Sequence, residues 1–180
     1  MRILLSEQEL NTGVDRLATE IDRGYEGRPL TVIAVMTGSL VLFADLIRRL
    51  SMPQRVGVIH ASSYRGGTVS GELKVDAEML IDVRNRDVLL VDDIFDTGKT
   101  LERLCSMISE LGAKSVRTAV LLHKQRTREV ELRPDFVAFE IPDEFVVGYG
   151  LDYLDMYRNL PYLAVLEPEE IAATAAEAKS

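Results

Sequence analysis

Apolar residues recur along the chain in two alternating rhythms, helical spacing and short unbroken runs. Ser6-Glu7-Gln8-Glu9 reads as a capping box, in which hydroxyl and carboxylate reciprocally satisfy free amides. Leu10, Val14, Leu17 and Ile21 follow at helical spacing, so an amphipathic helix is predicted over residues 7–23. After the Gly24–Pro29 punctuation, the β-branched run Leu30–Val35 predicts a buried strand. Met36-Thr37-Gly38-Ser39 is a tight loop, Leu40–Leu50 returns to helix before Pro53, and Arg55–Ala61 is a second strand. Val88–Val91, four apolar residues between Asp87 and Asp92, predicts a central parallel strand followed by a polar segment, Asp92–Thr97. Leu101, Leu104, Cys105, Ile108 and Leu111 mark the buried stripe of the next helix, and Gly112 stands where a left-handed cap belongs. Strand Val116–Leu122, a charged loop from His123 to Arg133, strands near Phe136–Glu140 and Tyr162–Leu166, and an Ala/Glu helix, Glu169–Ala178, complete the series. Strand alternating with helix through short loops predicts a parallel α/β sheet covered on both faces. Ligands of such sheets bind beyond the carboxyl ends of the strands, which directs attention to the loops.

Composition narrows the classes. At 180 residues, 47% apolar and 28% charged, the chain is expected to form one domain over residues 1–180 with an ordinary core. A lone Cys excludes an internal disulfide, and Cys105 lies on a buried stripe. The balance 21 − 29 = −8 argues against a general nucleic-acid surface. The longest uncharged stretch, Pro29–Ala44, has 16 residues and contains Thr31, Thr37, Gly38 and Ser39. That is short of the ~20 apolar residues of a spanning helix. Ile3-Leu4-Leu5 is too brief for a signal h-region, so a soluble cytoplasmic protein with no membrane partner is expected. His60 and His123 are separated and have no third ligand, a poor zinc pattern.

The chemistry concentrates in Val88-Leu89-Leu90-Val91-Asp92-Asp93-Ile94-Phe95-Asp96-Thr97-Gly98-Lys99-Thr100. A buried strand ends and a helix begins at Thr97-Gly98-Lys99-Thr100, where free amides and hydroxyls make an anion site. A P-loop would need Gly five residues before Gly98, where Asp93 stands. One phosphate for the amides and a polyol for the carboxylates suits the segment better, and a phosphorylated ribose offers both. Asp92 and Asp93 would accept from ribose hydroxyls or hold a metal bound to them, and Asp96 is a candidate base. As helix caps alone, three carboxylates with a Gly turn are excessive. Ser62–Gly71, rich in Gly and hydroxyls, reads by composition as a hairpin tip and alternatively as a mobile lid.

The acidic segment resembles the 5-phosphoribosyl-1-pyrophosphate signature of type I phosphoribosyltransferases. Met36–Ser39, Ser62-Ser63-Tyr64, Arg133–Pro142, Phe145–Tyr153 and Tyr157-Arg158-Asn159-Leu160 are similar to the hypoxanthine-guanine branch of that family. The likeness runs from about residue 5 to 168. It implies the type I phosphoribosyltransferase fold: a twisted, mainly parallel sheet flanked by helices, with a small hood, a flexible lid loop at about 62–76 and a tail at 169–180.

The resemblance also implies transfer of phosphoribose from phosphoribosyl pyrophosphate to a 6-oxopurine, giving IMP or GMP and pyrophosphate, with Mg2+ as cofactor. Asp96, Thr97, Gly98, Lys99 and Thr100 would hold the 5′-phosphate, and Asp92 and Asp93 the ribose hydroxyls and magnesium. Asp96 would also take the purine N7 proton. Thr37, Gly38 and Arg158 would receive pyrophosphate, with a cis bond between Met36 and Thr37; many relatives carry Lys at the position of Thr37. Lys124 would bind purine O6, Phe145 would stack on the ring, and main-chain groups of Val146 and Asp152 would face the 2-position. The Asp152 carboxylate would approach magnesium, and Ser63 and Tyr64 would belong to the lid. A homodimer or homotetramer is the family habit. Read without the resemblance, Arg158 and Lys124 are solvated cations, Phe145 is equally a core residue, and Asp152 and Asp155 are a cap and a turn. Two rivals stand beside the salvage enzyme: a regulatory protein sensing phosphoribosyl pyrophosphate, which should show a basic face, and a transferase preferring xanthine. Adenine and orotate transferases share the phosphate loop but not Lys124 with the Phe145–Asp152 segment.

Overall fold

The computed structural model describes residues 1–60, 81–125 and 130–177. Helix α1 (Glu7–Tyr25) starts as the capping box requires: the Ser6 hydroxyl accepts from the Glu9 amide, and the Glu9 carboxylate accepts from the Ser6 amide at 2.8 Å. It runs past Gly24, where a side chain would press on Arg117 and Phe136, and ends at Glu26 with φ of 52°. Strands β2 (Leu30–Met36), β3 (Gln54–His60), β4 (Asp87–Phe95), β5 (Ser115–Lys124) and β6 (Phe136–Ile141) form one parallel sheet in the order β3-β2-β4-β5-β6. The unbroken apolar runs are buried on both faces. Val32, Ala34, Leu89 and Val91 pack under α1 and α2 (Leu40–Ile47), whereas Ile33, Val35, Val88 and Leu90 pack under α3 (Lys99–Glu110).

A second, small antiparallel sheet joins β1 (Arg2–Leu5), β8 (Leu163–Val165) and β7 (Val146–Val147) in the order β1-β8-β7. The strand expected near Tyr162–Leu166 therefore belongs to this hood and not to the parallel sheet. The element β1 has no counterpart in the sequence reading, since four residues with two exposed carry no usable period. Further corrections concern length. β4 continues four residues beyond Val91, so Asp92 and Asp93 sit on the strand rather than in the loop after it. β5 reaches Lys124, and α2 stops at Ile47. Helix α4 (Pro168–Glu177) closes the described chain. Ser63, Tyr64 and the whole lid segment lie outside the described residues.

Candidate active site

The chain leaves β2 toward β3 on one side and returns to β4 on the other, so the loops after β2 and β4 diverge above a topological switch point. After β2 the chain passes through a cis Met36–Thr37 bond and Gly38. A Cβ on Gly38 would collide with the Asp93 carboxylate, so glycine is what lets the two loops meet. After β4, Asp96-Thr97-Gly98 turns into α3 with Gly98 at the N-cap and φ of 85°. A glycine cap has no side-chain acceptor, which leaves the first amides and the positive helix end to an outside anion.

An open cavity of about 900 Å³ is lined by this turn through Thr100, by Thr37 and Gly38, by Asp92 and Asp93, and by Asp152 and Arg158. A second of about 350 Å³ is lined by Lys124, Phe145 and Val146. Asp93, Asp96 and Asp152 line both, so the two spaces meet at carboxylates. All fourteen candidate residues that fall within the described chain are brought to one cavity or the other.

At the smaller end, Lys124 is only 11% exposed; its Nζ lies 3.3 Å from Asp143 Oδ1 and 4.0 Å from Asp96 Oδ2. It is a held ammonium rather than a solvated cation. Phe145 is 46% exposed and meets Tyr153 edge-on at 5.5 Å, which leaves a ring face open for stacking. At the larger end, Arg158 Nη2 is 2.9 Å from Asp152 Oδ1, and Nη1 donates to the Gly150 carbonyl at 2.8 Å. Asp152 Oδ2 accepts from the Asp155 amide at 2.9 Å.

A model of the phosphoribosyl transferase domain matches residues 2–154. The chain belongs to the phosphoribosyltransferase family. It is 36% identical over 168 residues to a hypoxanthine-guanine phosphoribosyltransferase of Staphylococcus aureus, covering 93% of this chain and 94% of that one. A bifunctional TilS/HprT protein of Listeria monocytogenes is 43% identical over 169 residues, and there the chain spans only 26% of the relative's length. A solved hypoxanthine-guanine phosphoribosyltransferase of Bacillus anthracis superposes with a TM-score of 0.87 at 39% identity, covering 93% and 99% of the two chains. The five-strand parallel sheet with its flanking helices is the type I phosphoribosyltransferase fold.

In this phosphoribosyltransferase the electrostatics centre on β4. Burial, then the neighbouring Asp93, pushes the Asp92 carboxyl well above its ordinary value. Burial raises Asp93 too, although hydrogen bonds to Asp92 and the Ile94 amide draw it back. Asp92 Oδ1 accepts from the Asp93 amide at 2.9 Å and Asp93 Oδ1 from the Ile94 amide at 2.8 Å, which fixes both carboxylates at the cavity wall. Among the described residues no three His, Cys or carboxylate side chains gather closely enough to hold an ion alone. Magnesium ordinarily takes one or two carboxylates together with water and substrate oxygens, and a cavity lined by Asp152, Asp92 and Asp93 fits that habit. Sequence reasoning missed Asp143, Ile94 and Leu151, which line or tie down the smaller cavity. Asp143 offered only a charge beside Pro142, and the other two only apolarity.

Proposed function

We propose that this protein transfers the 5-phosphoribosyl group of phosphoribosyl pyrophosphate to hypoxanthine or guanine, giving IMP or GMP and pyrophosphate. One observation carries the substrate assignment: an ammonium donor, Lys124, and a carboxylate acceptor, Asp96, stand 4.0 Å apart where the two cavities meet. Purine O6 and N7 are neighbours on one edge of the base, so Lys124 donates to O6 while Asp96 accepts the N7 proton. N9 then attacks ribose C1 as the bond from C1 to pyrophosphate breaks, and the proton leaves with Asp96. Phe145 stacks on the ring, and main-chain groups of Val146 and Asp152 address its 2-position. The α3 amino terminus with Thr97, Lys99 and Thr100 holds the 5′-phosphate, and Asp92 and Asp93 accept from the ribose hydroxyls. Arg158 and the Thr37–Gly38 amides receive the leaving pyrophosphate. Magnesium, when bound, offsets charge on that leaving group, with Asp152 and the Asp92–Asp93 pair as its protein ligands. The family habit supports a homodimer or homotetramer working in the cytoplasm.

The test is nucleotide formation from magnesium phosphoribosyl pyrophosphate with hypoxanthine, guanine, xanthine and adenine offered separately. Hypoxanthine and guanine should give product and adenine none, because its 6-amino group would point a donor at a donor. Such a mismatch costs about 1–3 kcal/mol or more. Lys124→Ala should raise the KM for hypoxanthine at least about tenfold. Adenine accepted as readily as hypoxanthine would remove Lys124 from its role. No product from any base, with phosphoribosyl pyrophosphate still bound, would make the protein a sensor instead.

A further inference from the structure

The segment from Tyr149 to Arg158 brings Asp152 and Arg158 to the cleft, yet its backbone is neither helix nor extended strand. Of the six non-glycine residues with left-handed φ among the described residues, four lie here: Tyr149 at 50°, Leu154 at 53°, Asp155 at 62° and Tyr157 at 75°. Residues with a Cβ enter this region against their steric preference, so the shape must be imposed by bonds to other parts of the molecule. Local turns supply some of these. Tyr153 and Met156 exchange backbone bonds at 3.2 and 3.1 Å, and Gly150 donates to the Arg158 carbonyl at 3.0 Å.

The side chains of the two tyrosines that bracket the segment tie it to two helices. The Tyr149 hydroxyl donates to Asp45 Oδ2 on α2 at 2.5 Å, and Asp45 is itself 3.5 Å from Arg49, which holds Asp15 of α1 at 2.6 Å. The Tyr157 hydroxyl and Thr174 Oγ1 on α4 share a 2.6 Å hydrogen bond. Thr174 is 2% exposed, so its hydroxyl has little access to water as an alternative partner. α4 is anchored in turn, with Glu170 2.6 Å from the Met1 ammonium. Between the two tyrosines the segment abuts the other side of the cleft: a Cβ on Gly150 would collide with the Gly38 carbonyl.

We propose that Tyr149 and Tyr157 are positioning residues that pin this segment to α2 and α4, so that Arg158 and Asp152 are held in place for the pyrophosphate end of the substrate. Helix α4 thereby takes part in substrate binding. The proposal rests on the transferase assignment above. Neither tyrosine is a catalytic residue; each acts through the loop it holds. When a pin is removed, only a fraction of molecules present Arg158 correctly, and the apparent affinity falls by that fraction. Lys124 stands on β5 and Phe145 just before β7, while Asp152 also lines the purine cavity, so recognition of hypoxanthine, which has no 2-substituent, should suffer less than that of the pyrophosphate end.

Tyr157→Phe, Thr174→Ala, the double variant and Thr174→Ser, made in the full chain, test this directly. Calorimetry gives the Kd for magnesium phosphoribosyl pyrophosphate, and steady-state assays give KM for each substrate. Tyr157→Phe and Thr174→Ala should each weaken that Kd, and raise the matching KM, by about three- to tenfold. The double variant should be no worse than either, Thr174→Ser should stay near wild type, and the KM for hypoxanthine should rise by clearly less than that for phosphoribosyl pyrophosphate. Tyr149→Phe should move in the same direction, while Asp45→Asn, which keeps an acceptor for the hydroxyl, should not. An unchanged Kd in Tyr157→Phe, additive losses in the double variant, or an equal rise in the hypoxanthine KM would each overturn the proposal. A wild-type protein that binds phosphoribosyl pyrophosphate but makes no nucleotide would defeat the transferase assignment alone, since the calorimetric comparison stands without turnover.

Discussion

Asp92 and Asp93 stand side by side at the end of a strand that is otherwise apolar, and the pair works against folding. Burial and the charge of Asp93 raise the Asp92 carboxyl, and burial raises Asp93. A group whose folded value lies above its unfolded value binds more protons in the native state across the window between them. Stability therefore falls as pH climbs from about 4 through that window. The ligand-free protein should thus be less stable at neutral pH than these two carboxyls alone would allow when protonated. Asp92→Asn removes one charge, keeps the shape and retains an oxygen for the Asp93 amide. It should raise the ligand-free stability at pH 7 by on the order of 1 kcal/mol, about 2–4 °C in Tm for a chain of this size. It should also flatten the decline with pH and abolish nucleotide formation, the usual exchange between stability and a functional site. Thermal melts of both proteins from pH 4 to 8 measure this, and a lower Tm for Asp92→Asn at pH 7 would refute it. The same pair explains what was legible in the sequence: adjacent Asp92 and Asp93 before a Gly98 turn make little sense as packing or capping. What stayed hidden was the partner of Lys124, because Asp143 is distant in sequence and is brought close only by the fold.

Among the elements, β4 shows why sequence boundaries failed where function intrudes. Its hydrophobic run stops at Val91, but the backbone pairs with β5 as far as Phe95–His123, since a ladder needs amides and carbonyls rather than apolar side chains. The hood was legible only in part: the strand near Tyr162–Leu166 was read but assigned to the main sheet, and β7 has two residues, too few for any period to show. At the other end of β4, Asp87 ties three elements together. Its carboxylate accepts from Ser115 Oγ at 2.6 Å at the start of β5, lies 3.3 Å from Lys114 Nζ, and is 3.7 Å from Arg28, just before β2. The Ser115 hydroxyl, opposed by burial and assisted by Lys114 and Arg28, holds this carboxyl below its ordinary value. The sign is opposite to that of Asp92. The stabilisation is fully present above pH ~4 and is lost as pH falls through the depressed folded value. Asp87→Asn keeps an acceptor for Ser115 but removes the charge that strengthens that bond, and should cost about 1 kcal/mol at pH 7, with little from Lys114 and Arg28 because both are well exposed. In urea titrations the gap between variant and wild type should narrow toward pH 3, and a gap independent of pH would assign the loss to shape instead of charge.

For the whole molecule, the proposed function requires a chain of net charge −8 to accept a polyanionic sugar pyrophosphate into a cleft that also holds Asp92, Asp93, Asp96 and Asp152. The general field opposes that approach, so local features have to overcome it. The α3 amino terminus and Arg158 supply part of the attraction, but Arg158 is already shared with Asp152 at 2.9 Å and Asp155 at 3.4 Å. The described carboxylates do not gather into a complete set of metal ligands. Magnesium should therefore bind well only when substrate oxygens complete its coordination, and the substrate should bind well only when magnesium screens the carboxylates. Melting curves separate this mutual dependence from a preformed metal site. Magnesium alone at millimolar concentration should leave Tm almost unmoved, as should phosphoribosyl pyrophosphate with a chelator. Together, at about 100 times the Kd, they should add about 2.7 kcal/mol, or on the order of 5–10 °C, and excess chelator should reverse the gain. If magnesium alone gave most of the shift, the cleft would already contain a complete metal site and the carboxylates would be ligands first and ribose partners second.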